Sequence, residues 1–108
     1  MVSLPRKVRL TKEDILDTLR QNMQILKSNF HVKSIGIFGS FARNENTEKS
    51  DIDFFVEFDG DVGFEFGRLV LFLEDLFGRE VEVLTPWGVK SIRFTEVKSE
   101  IERTILYA

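Results

Sequence analysis

Residues Gly36–Val56 read GIFGSFARNENTEKSDIDFFV, and the fold is decided by this stretch. The β-branched and aromatic run Val32–Phe38 stops at Gly39 and Ser40, which predicts a strand running into a tight turn. Residues 44–50 (NENTEKS) are polar and turn-forming, a surface loop. A second strand then spans Asp51–Phe58. Strand alternation places Ile52, Phe54, Val56 and Phe58 on one face and Asp51, Asp53, Phe55 and Glu57 on the other.

Working outward, Thr11 with Asp14 three residues on forms a capping box in its Asp variant, so a helix starts there. Ile15, Leu19, Met23, Leu26 and Phe30 give it one apolar face, and it is expected to end near Ser28 or Asn29. Downstream, Asp59-Gly60-Asp61 is a turn. Phe66, Leu69, Val70, Leu73, Leu76 and Phe77 recur at helical spacing over about 62–77, with Gly78 as the stop. Glu80–Leu84 is a third strand, and Thr95 to about Tyr107 a last helix with Val97, Ile101 and Ile105 inward. The order α, β, β, α, β, α predicts an α+β domain: a small mixed sheet of three or more strands with helices packed mainly on one face.

Composition narrows the function. The chain has 108 residues, 43% of them hydrophobic, which suits a single domain over 1–108 with residues 1–10 as an arm. It has no cysteine and one histidine, His31, so a thiolate zinc site, a cysteine nucleophile and a serine–histidine relay are out of reach. Fifteen Lys and Arg against 18 Asp and Glu give a formal charge of −3 and no basic footprint for extended nucleic acid. Neither a secretory signal nor a membrane-spanning run is visible, and a cytoplasmic location is expected. Any elaborate substrate recognition should come from a partner.

The chemistry lies between the first two strands. A glycine and a serine at a strand-to-helix turn let backbone approach a ligand and offer amide donors and a hydroxyl, which suits a phosphate. Arg43, three residues after Ser40, adds a guanidinium able to pair with phosphate oxygens. Asp51 and Asp53 point the same way from one strand about 6.5–7 Å apart, where two negative charges repel by about 2 kcal/mol at an effective dielectric near 20. A cation should sit between them. The third strand supplies another carboxylate, Glu82 or its neighbour on the same face, Glu80. Carboxylates alone, with no histidine, favour Mg²⁺ or Mn²⁺ over zinc or copper.

In Gly39, Ser40, Ala42, Arg43, Ser50, Asp51 and Asp53 the chain resembles the minimal nucleotidyltransferases of the DNA polymerase β superfamily. Their signature is a Gly-Ser turn, a spacer of about ten residues and an Asp-x-Asp opening a strand. Residues 81–86 look like the strand that carries that family's third metal-ligating acid, and the likeness covers roughly residues 12–107. It implies a polymerase-β-like nucleotidyltransferase fold and transfer of a nucleoside monophosphate, AMP foremost, from an NTP to a hydroxyl. Asp51, Asp53 and Glu82 would be both catalytic and metal ligands, and Gly39, Ser40 and Arg43 would hold the triphosphate. Small members are often paired with a helical HEPN-domain protein in toxin–antitoxin modules, which implies such a partner here. Two residues depart from the family pattern: Asn44 stands where glycine is common after the arginine, and Glu82 where Asp is more usual. The alternatives are an antitoxin that neutralises its partner sterically, without catalysis, and nucleotidyl transfer to a small molecule.

Other signals are bland. His31 reads as structural or solvated, and Ser50 as a strand start or neighbour of the acids as readily as a substrate contact. Phe64 and Leu71 fall on the outer side of their helix beside small Gly67, a candidate face for a homo-oligomer or a partner.

Overall fold

The computed structural model describes residues 10–60, 63–86 and 101–108. Helix α1 (Lys12–Gln21) starts with the expected capping box: Thr11 Oγ1 accepts from the Asp14 amide, and an Asp14 carboxylate oxygen accepts from the Thr11 amide, both at 3.1 Å. The single helix expected from residue 12 onward is instead two, because α1 breaks at Asn22 before α2 (Met23–Phe30) resumes. Asn22 is buried, its backbone N–H is shared between Thr18 O and Leu19 O, and its side-chain Nδ2 donates to Thr18 O at 2.8 Å. A side chain that takes a helix carbonyl competes with the ladder and lets the axis turn. His31 follows α2 in the left-handed region, its side chain exposed and with Nδ1 3.6 Å from a Glu65 carboxylate oxygen.

Strand β1 (Val32–Phe38) leads into the one-turn helix α3 (Gly39–Ala42), and β2 (Ile52–Phe58) returns antiparallel to β1. Helix α4 (Glu65–Phe77) crosses over to β3 (Val81–Leu84), which runs parallel to β2, and the crossover ends on Gly78 at φ +65° as expected. Parallel neighbours need such a crossover, whereas β1 and β2 do not. The sheet is mixed and four-stranded, in the order β3-β2-β1-β4.

The fourth strand corrects the expected last helix. Of that span, residues 95–100 and Val97 with them lie outside the described residues, and 101–104 are helical. Leu106–Tyr107 form β4, antiparallel to β1, and the Ala108 amide donates to Ile35 O at 3.0 Å. An open β1 edge offers unpaired amides and carbonyls, and pairing them outweighs two more helical residues. Gly36 makes the approach possible: a Cβ there would lie 2.6 Å from Leu106 O and 2.9 Å from Ile105 Cγ2. Ile101 and Ile105 are half-buried.

The core lies between the helices and one face of the sheet. Ile15, Leu19 and Leu26 from α1 and α2 and Leu69 and Leu73 from α4 are fully buried with Ile37, Ile52, Phe54 and Val56 of the sheet. Among the described residues Phe30, Phe41, Phe54, Phe55 and Phe77 are buried, and Phe58 and Phe72 pack against the core half-buried. Phe64 and Leu71 are the reverse, 90% and 68% exposed; Leu71 lies on the outer side of α4, whereas Phe64 precedes it as the N-cap, because the helix starts at Glu65 and not near residue 62.

Candidate active site

Alternation along β2 sends Ile52 and Phe54 into the core and Asp53 to the opposite face, half-buried. The parallel register sets Asp53 opposite Glu82 and Ile52 opposite Val81, so Glu82, not Glu80, is the acid that meets Asp53. The two side chains therefore stand beside each other on one face of the sheet. Burial, then the charge and hydrogen bond of Glu82, then the charge of Asp51 push the Asp53 carboxyl up to about 6, partly countered by the Arg43 guanidinium. A like charge beside a half-buried carboxyl disfavours its ionised form. Asp51 is exposed and close enough to raise Asp53. Among the described residues no three acidic or histidine side chains converge on one point. Asp53 and Glu82 are set side by side by the β2–β3 register, with Asp51 immediately ahead of β2.

The turn before β2 is fitted to Asp53. Gly39 has φ +72°, a conformation that favours glycine, and the Asp53 carboxylate occupies the space a Cβ at residue 39 would need. Glycine is therefore required twice at this position, by backbone and by neighbour. Phe38 pairs with Asp53 in the β1–β2 ladder, so β1 delivers the turn directly beside the acid. The buried Phe41 ring anchors α3, the Arg43 amide donates to Gly39 O at 3.2 Å, and the Glu45 amide closes the turn on Ser40 O at 2.8 Å. Asn44 takes the left-handed conformation at φ +58°, which asparagine adopts more readily than most residues.

Gly39, Ser40 and Arg43 are all brought to this end of the sheet with the acids. The Arg43 guanidinium, at the end of α3, pairs through Nε with a Glu45 carboxylate oxygen at 3.1 Å and also feels Asp53. Ser50 is occupied in shaping the loop: its Oγ accepts from the Thr47 amide at 2.8 Å. Sequence reasoning missed Arg79, in the turn between α4 and β3. Its Nη1 donates to Ser50 O at 3.1 Å, and its guanidinium stacks 5.2 Å from the centre of the Phe41 ring.

A mixed sheet with an acid pair set against a Gly-Ser turn is the architecture of a nucleotidyl-transferring domain. The chain belongs to the nucleotidyltransferase domain family, whose model matches residues 19–107, and it is a nucleotidyltransferase. Two candidate protein adenylyltransferases of Methanocaldococcus jannaschii are each 43% identical to it, over 98 and 100 residues, covering 90% of this chain and 97% of theirs. The protein adenylyltransferase MntA of Thermococcus cleftensis is 36% identical over 97 residues, covering 90% of this chain and 91% of its own. Among solved structures, a candidate minimal nucleotidyltransferase superposes with a TM-score of 0.68 at 25% identity, covering 91% of this chain and 96% of that one. A toxin–antitoxin complex with AMP-PNP shares the fold at a TM-score of 0.57 and 20% identity, over 91% of this chain and 72% of its own.

Proposed function

We propose that this protein transfers AMP from ATP to a hydroxyl on a protein partner of the HEPN type, as the antitoxin of a toxin–antitoxin pair, with Mg²⁺ or Mn²⁺ at its acids. The observation that carries the reading is the Asp53–Glu82 pair against Gly39. Relatives named as protein adenylyltransferases support AMP and a protein acceptor, and a structural neighbour in a toxin–antitoxin complex supports the partner class.

The donor set fits a hard divalent cation. It consists of carboxylate oxygens only, and the Glu82 and Asp51 charges that raise the Asp53 carboxyl mark a place where positive charge is favoured. Asp51, Asp53 and Glu82 would hold the ion. Bound there, it would neutralise triphosphate charge and acidify the acceptor hydroxyl. The backbone at Gly39 and Ser40, with the Arg43 guanidinium, holds the triphosphate. The acceptor oxygen forms its bond to the α-phosphorus as the bond to pyrophosphate breaks, and the Glu82 carboxylate takes the hydroxyl proton. Pyrophosphate leaves and the acceptor carries AMP.

Incubation with Mg²⁺, labelled ATP and the protein encoded beside this one tests the reading. Label should pass to the neighbour and vanish with Asp51→Asn/Asp53→Asn. Neutralisation of the neighbour that survives this double change would instead identify a steric antitoxin, and label on small molecules alone would identify a different acceptor.

We assign the exposed Phe64–Leu71 face to contact with a second copy of this chain. Phe64→Ser with Leu71→Ser should leave thermal unfolding essentially unchanged, since neither side chain is buried, while lowering the mass seen by light scattering. An unchanged mass rejects the assignment. No helix among the described residues is long and apolar enough to cross a membrane.

A further inference from the structure

Two of the chain segments that build the site, already in contact at Gly39 and Asp53, are also both touched by one side chain. The first is α3, whose Gly39 and Ser40 form the turn and whose Phe41 is fully buried. The second is the start of β2, where Ser50 immediately precedes Asp51. Arg79 touches both: Nη1 donates to Ser50 O at 3.1 Å, and the guanidinium lies 5.2 Å from the Phe41 ring centre. The next residue extends the clamp, since Glu80 O accepts from the Ile52 amide at 3.3 Å. Resting on the reading of this site as one for nucleotidyl transfer, we propose that Arg79 is a positioning residue that fixes the phosphate-binding turn relative to Asp51 and the start of the strand carrying Asp53.

A planar guanidinium suits the task because its face can stack on an aromatic ring while its edge donates to a carbonyl. Arg79 Nη1 does the second while its guanidinium makes the first contact. Lysine, a compact point charge, keeps one of these contacts at a time. Arg79 touches neither nucleotide nor acceptor in this scheme, so its influence is exerted through placement. A displacement of about 1 Å between reacting groups can lower a rate by about a hundredfold.

Arg79→Ala should therefore lower kcat for AMP transfer by about ten- to a hundredfold per folded molecule, with KM for ATP changed far less. Arg79→Lys should retain an intermediate rate, and millimolar guanidinium should restore part of the activity of Arg79→Ala and none to Arg79→Lys. Arg79→Met, which keeps packing against Phe41 but cannot donate, should fold and resemble Arg79→Ala. Hydrogen exchange of the amides at 39–42 and 50–53 is read on the same variants without substrate, and both segments should lose protection together. Failure of the unaltered protein to transfer AMP would count against the proposed function and not against this role, which the exchange measurement reads alone. Unchanged protection in both segments, or a wild-type kcat per folded Arg79→Ala molecule with only a lower melting temperature, would overturn it.

Discussion

Gly39→Ala should lower nucleotidyl transfer by about a hundredfold or more, although it adds a single methyl group. Two effects combine. The backbone at φ +72° is left-handed, which strains an L-residue by about 1–2 kcal/mol. The new Cβ would also collide with the Asp53 carboxylate, so the acid must swing away from the turn it serves. Displacing an acid by the width of a methyl group reaches the range in which rates fall by about a hundredfold. Gly78→Ala separates the two effects, because Gly78 has φ +65° and nothing within 4 Å of the place its new methyl group would take. It should show the backbone cost alone, as a modest fall in melting temperature with kcat intact. Equal losses of stability and activity in the two variants would show that the Gly39–Asp53 contact has no functional weight.

Asp53→Asn should abolish transfer and yet stabilise the protein at alkaline pH. The loss of activity should exceed about a thousandfold, because several kcal/mol of transition-state charge stabilisation depend on the acids. The stability change follows from the raised Asp53 carboxyl, at about 6 in the folded protein against 3.8 for an ordinary aspartate. The folded state binds this proton more tightly than the unfolded chain does, so the penalty for ionisation is complete above pH 6. It fades as pH falls between 6 and 4, and the folded state gains stability across that window. Allowing for solvent screening of a half-buried group, the penalty is about 1 kcal/mol, or about 4 °C in melting temperature. Asp53→Asn should therefore melt higher than the unaltered protein at pH 8 and equal to it near pH 4. A melting difference independent of pH, or of opposite sign at pH 8, would show that Asp53 carries no such penalty.

Much of this is legible in the sequence because it is written locally. Alternation in Asp51–Phe58 separates the core residues from the acids without reference to any other segment, and β2 follows that division. The Gly39–Ser40 stop, the capping box at Thr11 and the Gly78 terminus are likewise short-range signals. The features that escape depend on partners distant in the chain or on single hydrogen bonds. Apolar spacing runs through Asn22 without interruption, and nothing in it announces the side-chain bond to Thr18 O at the point where the helix divides. Leu106–Tyr107 become a strand because Gly36, some seventy residues earlier, leaves room at the β1 edge. Arg79 looks like an ordinary surface arginine until Ser50 and Phe41 are seen beside it. Gly39 suggests by its place in the chain that it makes room for a ligand, whereas the group it admits first is the protein's own Asp53.

The parallel pairing of β2 with β3 turns the short connection after α4 into a ruler. Residues Gly78–Glu80 measure out the chain so that the glutamate facing Asp53 is Glu82. Removing one residue there would rotate every β3 side chain to the other face, carrying Glu82 toward the core and a valine toward the acid. Removing one more would restore the facing but replace Glu82 by the residue two places along, Leu84. Inserting two would instead bring Glu80 opposite Asp53. Among length variants of this connection, activity should thus follow an odd–even rule with a chemical exception: insertions of two keep a carboxylate in place, deletions of two do not.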